Sequence, residues 1–75
     1  MGDDVTGGVV KVIELVGSSP DSFDEAVRTA VRAAARTLRN IKGVEVVSYS
    51  ASVDGSEITN YKADCKIAFL IDTTA

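Results

Sequence analysis

The sequence predicts a small α+β domain with the element order β-α-β-β, in which a three-stranded antiparallel sheet wraps round one helix. Three observations predict it: a β-branched apolar run over residues 9–16, a helical periodicity over residues 23–38, and two strand-like segments on either side of Asp54-Gly55. A right-handed crossover through the helix makes its two flanking strands parallel. The third strand then lies between them, so that every neighbouring pair of strands is antiparallel.

The first strand, Val9–Val16, reads VVKVIELV and is rich in the β-branched residues that favour strands. Alternation along the strand places apolar side chains on both faces: Val9, Ile13 and Leu15 on one, and Val10, Val12 and Val16 on the other. A strand that is apolar on both faces is expected to be covered on both.

The helix is predicted from an apolar stripe and from its capping residues. The stripe recurs at spacings of three and four residues and consists of Phe23, Ala26, Val27, Ala30, Val31, Ala34 and Leu38. Ser22 and Glu25 form a capping box at its start, and Asn40 and Gly43 supply stop signals after its last turn. Because much of the stripe is alanine, we expect another element to pack closely against it.

The last two strands, Val44–Val53 and Glu57–Ile71, are predicted to form a hairpin closed by a two-residue turn at Asp54-Gly55. The odd-numbered residues of the final strand, from Tyr61 to Ile71, are expected to face the helix. This turn predicts a register across the hairpin: Val46 opposite Ala63, Glu45 opposite Asp64, Val47 opposite Lys62, and Tyr49 opposite Asn60.

The length of the chain, 75 residues, corresponds to one small domain. A domain of about this size buries only about 60% of its unfolded surface and usually needs extra stabilisation. With one cysteine and no histidine, neither an intrachain disulfide nor a zinc cluster can supply it. We therefore expect an oligomer. Residues 1–8 are interpreted as a flexible leader, residues 9–72 as the domain, and residues 73–75 as a tail.

Charge and hydropathy bear on the classes of partner. The net charge of −3 gives no general attraction to nucleic acid or to anionic membranes. No apolar run approaches the roughly 18 residues that span a bilayer. The N-terminal residues lack a secretion signal, and a single unpaired cysteine fits a reducing compartment. We expect a cytoplasmic protein with neither a nucleic-acid partner nor a membrane partner.

The usual catalytic signatures are missing, so we expect no enzyme activity. The chain has no histidine for acid–base work, and it has neither a P-loop nor a GxGxxG motif. Residues 17–20, Gly-Ser-Ser-Pro, could offer backbone N–H groups to an anion. A tight turn that leads into a capped helix explains the same residues. Cys65 is expected to be a buried packing residue on the helix side of the last strand.

Arginines line the helix face away from the apolar stripe: Arg28, Arg32, Arg36 and Arg39. Asp24 can pair with Arg28, but the other arginines have no acidic residue one turn before them. One interpretation is a solvated face, which is what charge runs usually form. The other is a surface that docks on acidic residues of a neighbouring subunit, since the chain outside residues 21–40 has eight acids and four lysines.

The predicted register places Glu45 and Asp64 directly opposite each other, which is destabilising for two like charges. A divalent cation could bind between them, because hard cations take carboxylate oxygens. Alternatively, the flanking Lys62 and Lys66 neutralise the pair.

Four segments of this chain, KVIELVGSSPDSFDEAV, TLRNI, VEVV and NYKADCKIAF, closely resemble the dodecin family. The resemblance covers roughly residues 9–71. It implies a β-α-β-β protomer that assembles into a hollow, spherical homododecamer. It also implies a small flavin-binding protein that stores or sequesters riboflavin or FMN and does not turn over a substrate.

Two positions depart from the flavin-binding members of that family. The resemblance implies a tryptophan that stacks on the flavin where this chain has Gly43, and a glutamine that hydrogen-bonds the ring edge where it has Lys62. Aromatic stacking contributes about 0.5–1.5 kcal/mol beyond buried area, and the area of the indole is lost as well. A combined loss of roughly 3–4 kcal/mol predicts a several-hundred-fold weaker flavin affinity.

Two hypotheses follow for the function. In the first, the shell sequesters a flavin or a related ligand at subunit interfaces near Gly43 and Lys62. The ammonium of Lys62 donates three hydrogen bonds and accepts none, which suits an anionic or carbonyl-rich ligand. In the second, a non-flavin dodecin binds divalent cations such as Ca²⁺, or the assembly is a purely structural shell.

Overall fold

The computed structural model describes residues 8–71. These residues form four elements: β1 (Val9–Ser19), α1 (Phe23–Ala35), β2 (Ile41–Asp54) and β3 (Glu57–Ile71). The sheet has the order β1-β3-β2, and β3 pairs antiparallel with both neighbours. The predicted fold is therefore confirmed. The predicted tail, and the predicted leader apart from Gly8, lie outside the described residues.

The core lies between α1 and the centre of the sheet. Its most buried side chains are mostly small, and they are Ala26, Ala30 and Ala34 of α1 with Ala63, Cys65 and the larger Ile67 of β3. Gly17 of β1 permits this close approach. A Cβ atom at Gly17 would overlap the carbonyl oxygen of Ala26 and would lie 2.9 Å from the Cβ of Ala30. The element that packs closely on the alanine stripe is thus the end of β1.

The helix begins where the capping box predicts and ends earlier than the apolar stripe suggests. Ser22 Oγ accepts a hydrogen bond from the backbone N–H of Glu25 at 3.0 Å. After the helix, the backbone N–H of Leu38 donates to the carbonyl of Ala34 at 2.9 Å. Asn40 has a φ of 61°, so the chain reverses there toward β2. Leu38 therefore packs on the core from the turn and not from the helix.

The register of the β2–β3 hairpin differs from the prediction in its turn and in its pairing. Asp54 pairs with Glu57, so the turn residues are Gly55 and Ser56, and Gly55 has the positive φ of 65°. The irregularity at Thr59 in β3 shifts the pairing further, and those at Val47 and Lys42 in β2 each shift it back by one residue. Each predicted pair is therefore wrong: Val46 lies opposite Cys65, Glu45 opposite Lys66, Tyr49 opposite Ala63, and Val47 has no partner in the β3 ladder.

The bulge at Val47 places Tyr49 on the helix side of the sheet, where the sequence predicted the opposite face. A bulge adds one residue to a strand and so changes which later residues face the core. The ring centroid of Phe23 lies 4.7 Å from that of Tyr49 and 4.9 Å from that of Tyr61. These three rings cover the N-terminal end of α1.

Candidate functional site

One face of the sheet packs on α1, and the residues singled out for binding lie on the other, which we call the open face. It comprises Val10, Val12, Glu14, Val16 and Ser18 of β1, Gly43, Glu45, Ser48 and Ser50 of β2, and Lys62, Asp64, Lys66, Ala68 and Leu70 of β3. Among residues 8–71, α1 is the one element outside the sheet. Nothing in the described part of the chain therefore covers the open face.

The open face has an exposed apolar edge. Val10, Val12 and Val16 of β1 are 40%, 51% and 64% exposed, and Val47 in the β2 bulge is 47% exposed. The sequence predicted that β1 would be covered on both faces, yet only its helix side is packed within the described chain. The uncovered valines are the kind of apolar surface that marks an interaction site.

Gly43 and Lys62, the two predicted ligand-binding positions, share the open face but lie far apart on it. Gly43 pairs with Ala68, whereas Lys62 pairs with Ser18 and Ser50. The strand positions of Ala68 and Lys62 are about 20 Å apart, at a rise of roughly 3.3 Å per residue. One chain therefore does not bring both positions to the same ring system. Two copies are needed for that.

Charged side chains occupy the middle of the open face. Lys66 lies between Glu14 of β1 and Glu45 of β2, so that a basic residue separates two acids in one cross-strand row. Asp64 lies in the next row, between Val16 and Ser48. The direct opposition predicted for Glu45 and Asp64 is therefore not formed, because the displaced turn shifts β2 along β3. The two acids occupy diagonal positions.

Asp64 is the least compensated charge of this group. Its Oδ1 atom is shielded from solvent and has no hydrogen-bond partner within residues 8–71. Glu14 lies diagonally across the β1–β3 ladder. The Asp64 carboxylate, as a hydrogen-bond acceptor for protonated Glu14 and as a like charge, raises the pKa of Glu14 above its ordinary value; burial adds to the effect, and Lys66 opposes it. Glu14 is therefore the carboxyl group that interacts most directly with Asp64.

Sequence reasoning missed Glu14 because no turn connects β1 to β3. The hairpin turn constrained only the β2–β3 register, and even there the bulges overrode it. The described residues contain no group of three or more Asp, Glu, Cys or His side chains that could hold a metal ion. A cation at Asp64 would therefore need oxygen ligands from more than one chain or from water.

The remaining reactive and aromatic side chains lie away from the open face. Tyr49 and Tyr61, which might have replaced a stacking tryptophan, pack against Phe23 on the helix side. Cys65 is fully buried, and its Sγ lies 3.6 Å from the carbonyl oxygen of Ala63. Burial, with a contribution from Asp64, raises the pKa of the Cys65 thiol. The predicted buried position of Cys65 is confirmed.

Comparison with known proteins identifies the family. The family model for dodecins matches residues 9–72. The chain belongs to the dodecin family. The dodecin of Thermus thermophilus is 28% identical over 68 residues, which cover 91% of this chain and 99% of that protein. The calcium dodecin of Mycobacterium tuberculosis is 30% identical over 61 residues, which cover 81% of this chain and 86% of that protein.

Solved structures of other dodecins share the fold. The dodecin of Streptomyces coelicolor superposes with a TM-score of 0.87 at 30% identity, covering 93% of this chain and all of that one. The calcium dodecin of M. tuberculosis, described as a calcium-chelating antigen with a novel calcium-binding site, superposes with a TM-score of 0.76 at 28% identity, covering 91% and 97%. As a dodecin, this chain belongs to a family of small binding and storage proteins. None of the helices within residues 8–71 has the length and apolar character to cross a membrane.

Proposed function

We propose that this dodecin assembles into a hollow homododecamer in which neighbouring copies cover the open face. The exposed valines of β1 support this, because burying a valine side chain fully contributes about 1.5–3 kcal/mol. The small size of the chain supports it too, since a domain of about 75 residues gains stability from association. The buried, unpaired Cys65 fits a reducing compartment such as the cytoplasm.

We infer that the assembled protein binds and stores a flavin-type ligand at the interfaces between open faces. The observation that carries this proposal is the placement of Gly43 and Lys62, which share the open face but lie about 20 Å apart on it. A ligand that contacts both must lie between copies, which is the arrangement that a shell of paired open faces provides. The protein sequesters the ligand and does not transform it.

The affinity for flavin is expected to be low. Gly43 offers no ring to stack on, and the nearest tyrosines pack on Phe23 on the helix side of the sheet. Together the lost stacking and the lost indole area amount to roughly 3–4 kcal/mol, a several-hundred-fold weaker binding. Lys62 donates hydrogen bonds only, so it favours a ligand with carbonyl oxygens or an anionic group.

The test is a fluorescence titration of riboflavin and of FMN with the purified assembly. Quenching should appear at high protein concentration, and Gly43→Trp should tighten it by about two orders of magnitude because the indole restores the stacking surface. Gly43→Leu is the matched control, since it adds apolar bulk without an aromatic face. An equal gain from leucine would remove stacking as the reason, and no gain from tryptophan would contradict the proposed location of the site.

A second candidate function is the binding of divalent cations such as Ca²⁺ at Asp64, together with Glu14 or Glu45. The shielded, unpartnered Oδ1 of Asp64 favours it, because a buried carboxylate oxygen without a donor is a ready ligand for a hard cation. A relative at 30% identity is named calcium dodecin, which supports the same candidate.

Scanning calorimetry of thermal unfolding, with added CaCl₂ and with added MgCl₂, distinguishes this candidate. Calcium should raise the melting temperature of the wild type and leave that of Asp64→Asn unchanged. Asp21→Asn, which removes an exposed acid outside the sheet, is the matched control and should respond as the wild type does. A calcium response that persists in Asp64→Asn would place the cation elsewhere.

A further inference from the structure

Three of the four arginines of the chain lie on one surface of α1 and its C-cap, which we call the arginine face. It consists of Arg28, Arg32 and Arg36, and all three are exposed. Every lysine of the chain lies instead on a strand. Guanidinium groups bind carboxylates through two parallel hydrogen bonds, which ammonium groups do not. A surface that is basic only through arginine therefore suits carboxylate partners.

Within residues 8–71, little neutralises the arginine face. The predicted Asp24–Arg28 pair is not formed, and the ion pair on this helix within residues 8–71 joins Arg32 to Glu25 at 3.5 Å. The Arg32 side chain still remains 67% exposed. From Arg28 to Val44 the sequence contains no acidic residue. A shallow hollow of about 340 Å³ lies on this face, between Arg32 and Arg36, with Thr29 and Ala33 as its floor.

The β2–β3 hairpin extends beyond the rest of the sheet. The β1 ladder on β3 reaches only as far as Tyr61, so residues 52–60 form a two-stranded extension that we call the hairpin arm. Residues 53–59 are all exposed, including Val53 at 62% and Ile58 at 52%. A hairpin of two strands is marginally stable alone. The arm is therefore an element that needs a neighbour.

The tip of the hairpin arm is acidic. Asp54 and Glu57 are direct cross-strand partners on either side of the Gly55-Ser56 turn. Like charges placed opposite each other destabilise a strand pair unless a cation offsets them. The tip thus lacks the positive charge that the arginine face has in excess.

We propose that the acidic tip of the hairpin arm of one copy docks on the arginine face of a neighbouring copy, with Asp54 and Glu57 against Arg32 and Arg36. This inference rests on the proposed assembly and names a second contact within it. The apolar open face is the surface that copies bury against each other, which leaves the helix side accessible to an arm. The small side chains of Thr29 and Ala33 let the tip approach between the two guanidinium groups.

The contact joins different surfaces of two copies, so it repeats head to tail and closes only through rotational symmetry.

Charge reversal tests the docking contact directly. The face variant carries Arg32→Glu and Arg36→Glu, and the tip variant carries Asp54→Lys and Glu57→Lys. In either variant alone, the tip and the face carry charges of the same sign and repel each other. A chain that carries all four substitutions, the fourfold variant, restores opposite charges at every contact, since each basic tip then meets an acidic face.

We measure assembly by analytical ultracentrifugation at low salt over a dilution series. The face variant and the tip variant should each dissociate at a concentration at least about tenfold higher than the wild type does. The fourfold variant should assemble within about threefold of the wild type. The matched control, Lys11→Glu with Lys42→Glu, has the same net charge as the face variant and should assemble as the wild type does.

Three results would overturn the docking contact. The first is normal assembly of both reversed variants; if the wild type is then a shell that binds flavin, only the docking contact is wrong. The second is equal dissociation of the lysine control, which would mean that net charge acts and not the surface. The third is a fourfold variant that stays dissociated. If either variant unfolds alone, the fourfold variant still supplies the test, because it must assemble by itself. A monomeric wild type would refute the proposed assembly and the docking contact together.

Discussion

Replacing Gly17 by alanine tests whether the close contact of β1 with α1 holds the fold together. Two effects oppose each other at this position. Alanine in place of glycine stabilises a fold by about 0.4–1 kcal/mol where the site is compatible, because the unfolded chain has fewer conformations. Against this, the new Cβ would overlap the backbone carbonyl oxygen of Ala26 and lie 2.9 Å from the Cβ of Ala30.

The steric effect should dominate, since a helix carbonyl cannot rotate away as a flexible side chain can. Overpacking of a core costs about 1–3 kcal/mol, and a collision with backbone belongs at the upper end of that range. We expect a net loss of about 2–3 kcal/mol, which lowers the melting temperature of a domain of this size by roughly 10–20 °C.

The measurement is thermal unfolding by circular dichroism at fixed protein concentration, because association makes the melting temperature concentration-dependent. Ser18→Ala is the matched control, since Ser18 is the exposed neighbour on the same strand and its change should shift the melting temperature little. If Gly17→Ala melts within a few degrees of the wild type, the close approach of β1 to the alanine stripe is not what orders the core.

Three further outcomes are expected. Ser22→Ala removes the Oγ that accepts from the N–H of Glu25, so unfolding calorimetry should show about 1 kcal/mol lost, and an unchanged stability would contradict the cap. Glu14→Gln should raise the melting temperature at pH 7. Because folding raises the pKa of Glu14, protonated Glu14 stabilises the fold at pH values below its ordinary pKa of 4.5, and this stabilisation is lost as the pH rises. The gain from glutamine should therefore vanish toward pH 4. A gain that persists at pH 4 would contradict this. Cys65, buried with a raised pKa, should react with a thiol reagent only after denaturant is added; fast reaction of the native protein would contradict its burial.

The element order and the core could be predicted because their signals are local and redundant. The alternation from Tyr61 to Ile71 predicts both the bounds of β3 and its helix-facing side chains, and the alanine stripe predicts a close neighbour for α1. The end of the helix was predicted too late. Leu38 continues the apolar period, but it does so from a turn that Asn40 closes with a positive φ.

The candidate site could be predicted less well from the sequence, because its geometry depends on strand register and a bulge has no strong local signal in the sequence. Val46 and Val47 read as two adjacent strand residues, yet only Val46 belongs to the β3 ladder. The displaced turn moved Glu45 from Asp64 to Lys66, and the extra residue at Val47 moved Tyr49 to the helix side. The open face itself could be foreseen, since the doubly apolar β1 required a second cover. Which acids meet on that face could not.

The charges of the open face limit how neighbouring copies can cover it. Lys66 offsets one of the two acids in its own row, Glu14 and Glu45, so burying this row leaves one acid uncompensated. Asp64 has no such offset, and its Oδ1 is already shielded from solvent. Burying a carboxylate further without a partner is strongly unfavourable, so assembly must supply a proton shared with Glu14, a cation, or a basic group of a neighbouring copy. These alternatives predict different linkages: assembly tightened by acid, assembly tightened by calcium, or assembly that responds to neither. Which group neutralises the charge of Asp64 therefore distinguishes the storage shell from the calcium-binding shell, because only the calcium-binding shell makes a cation part of the interface.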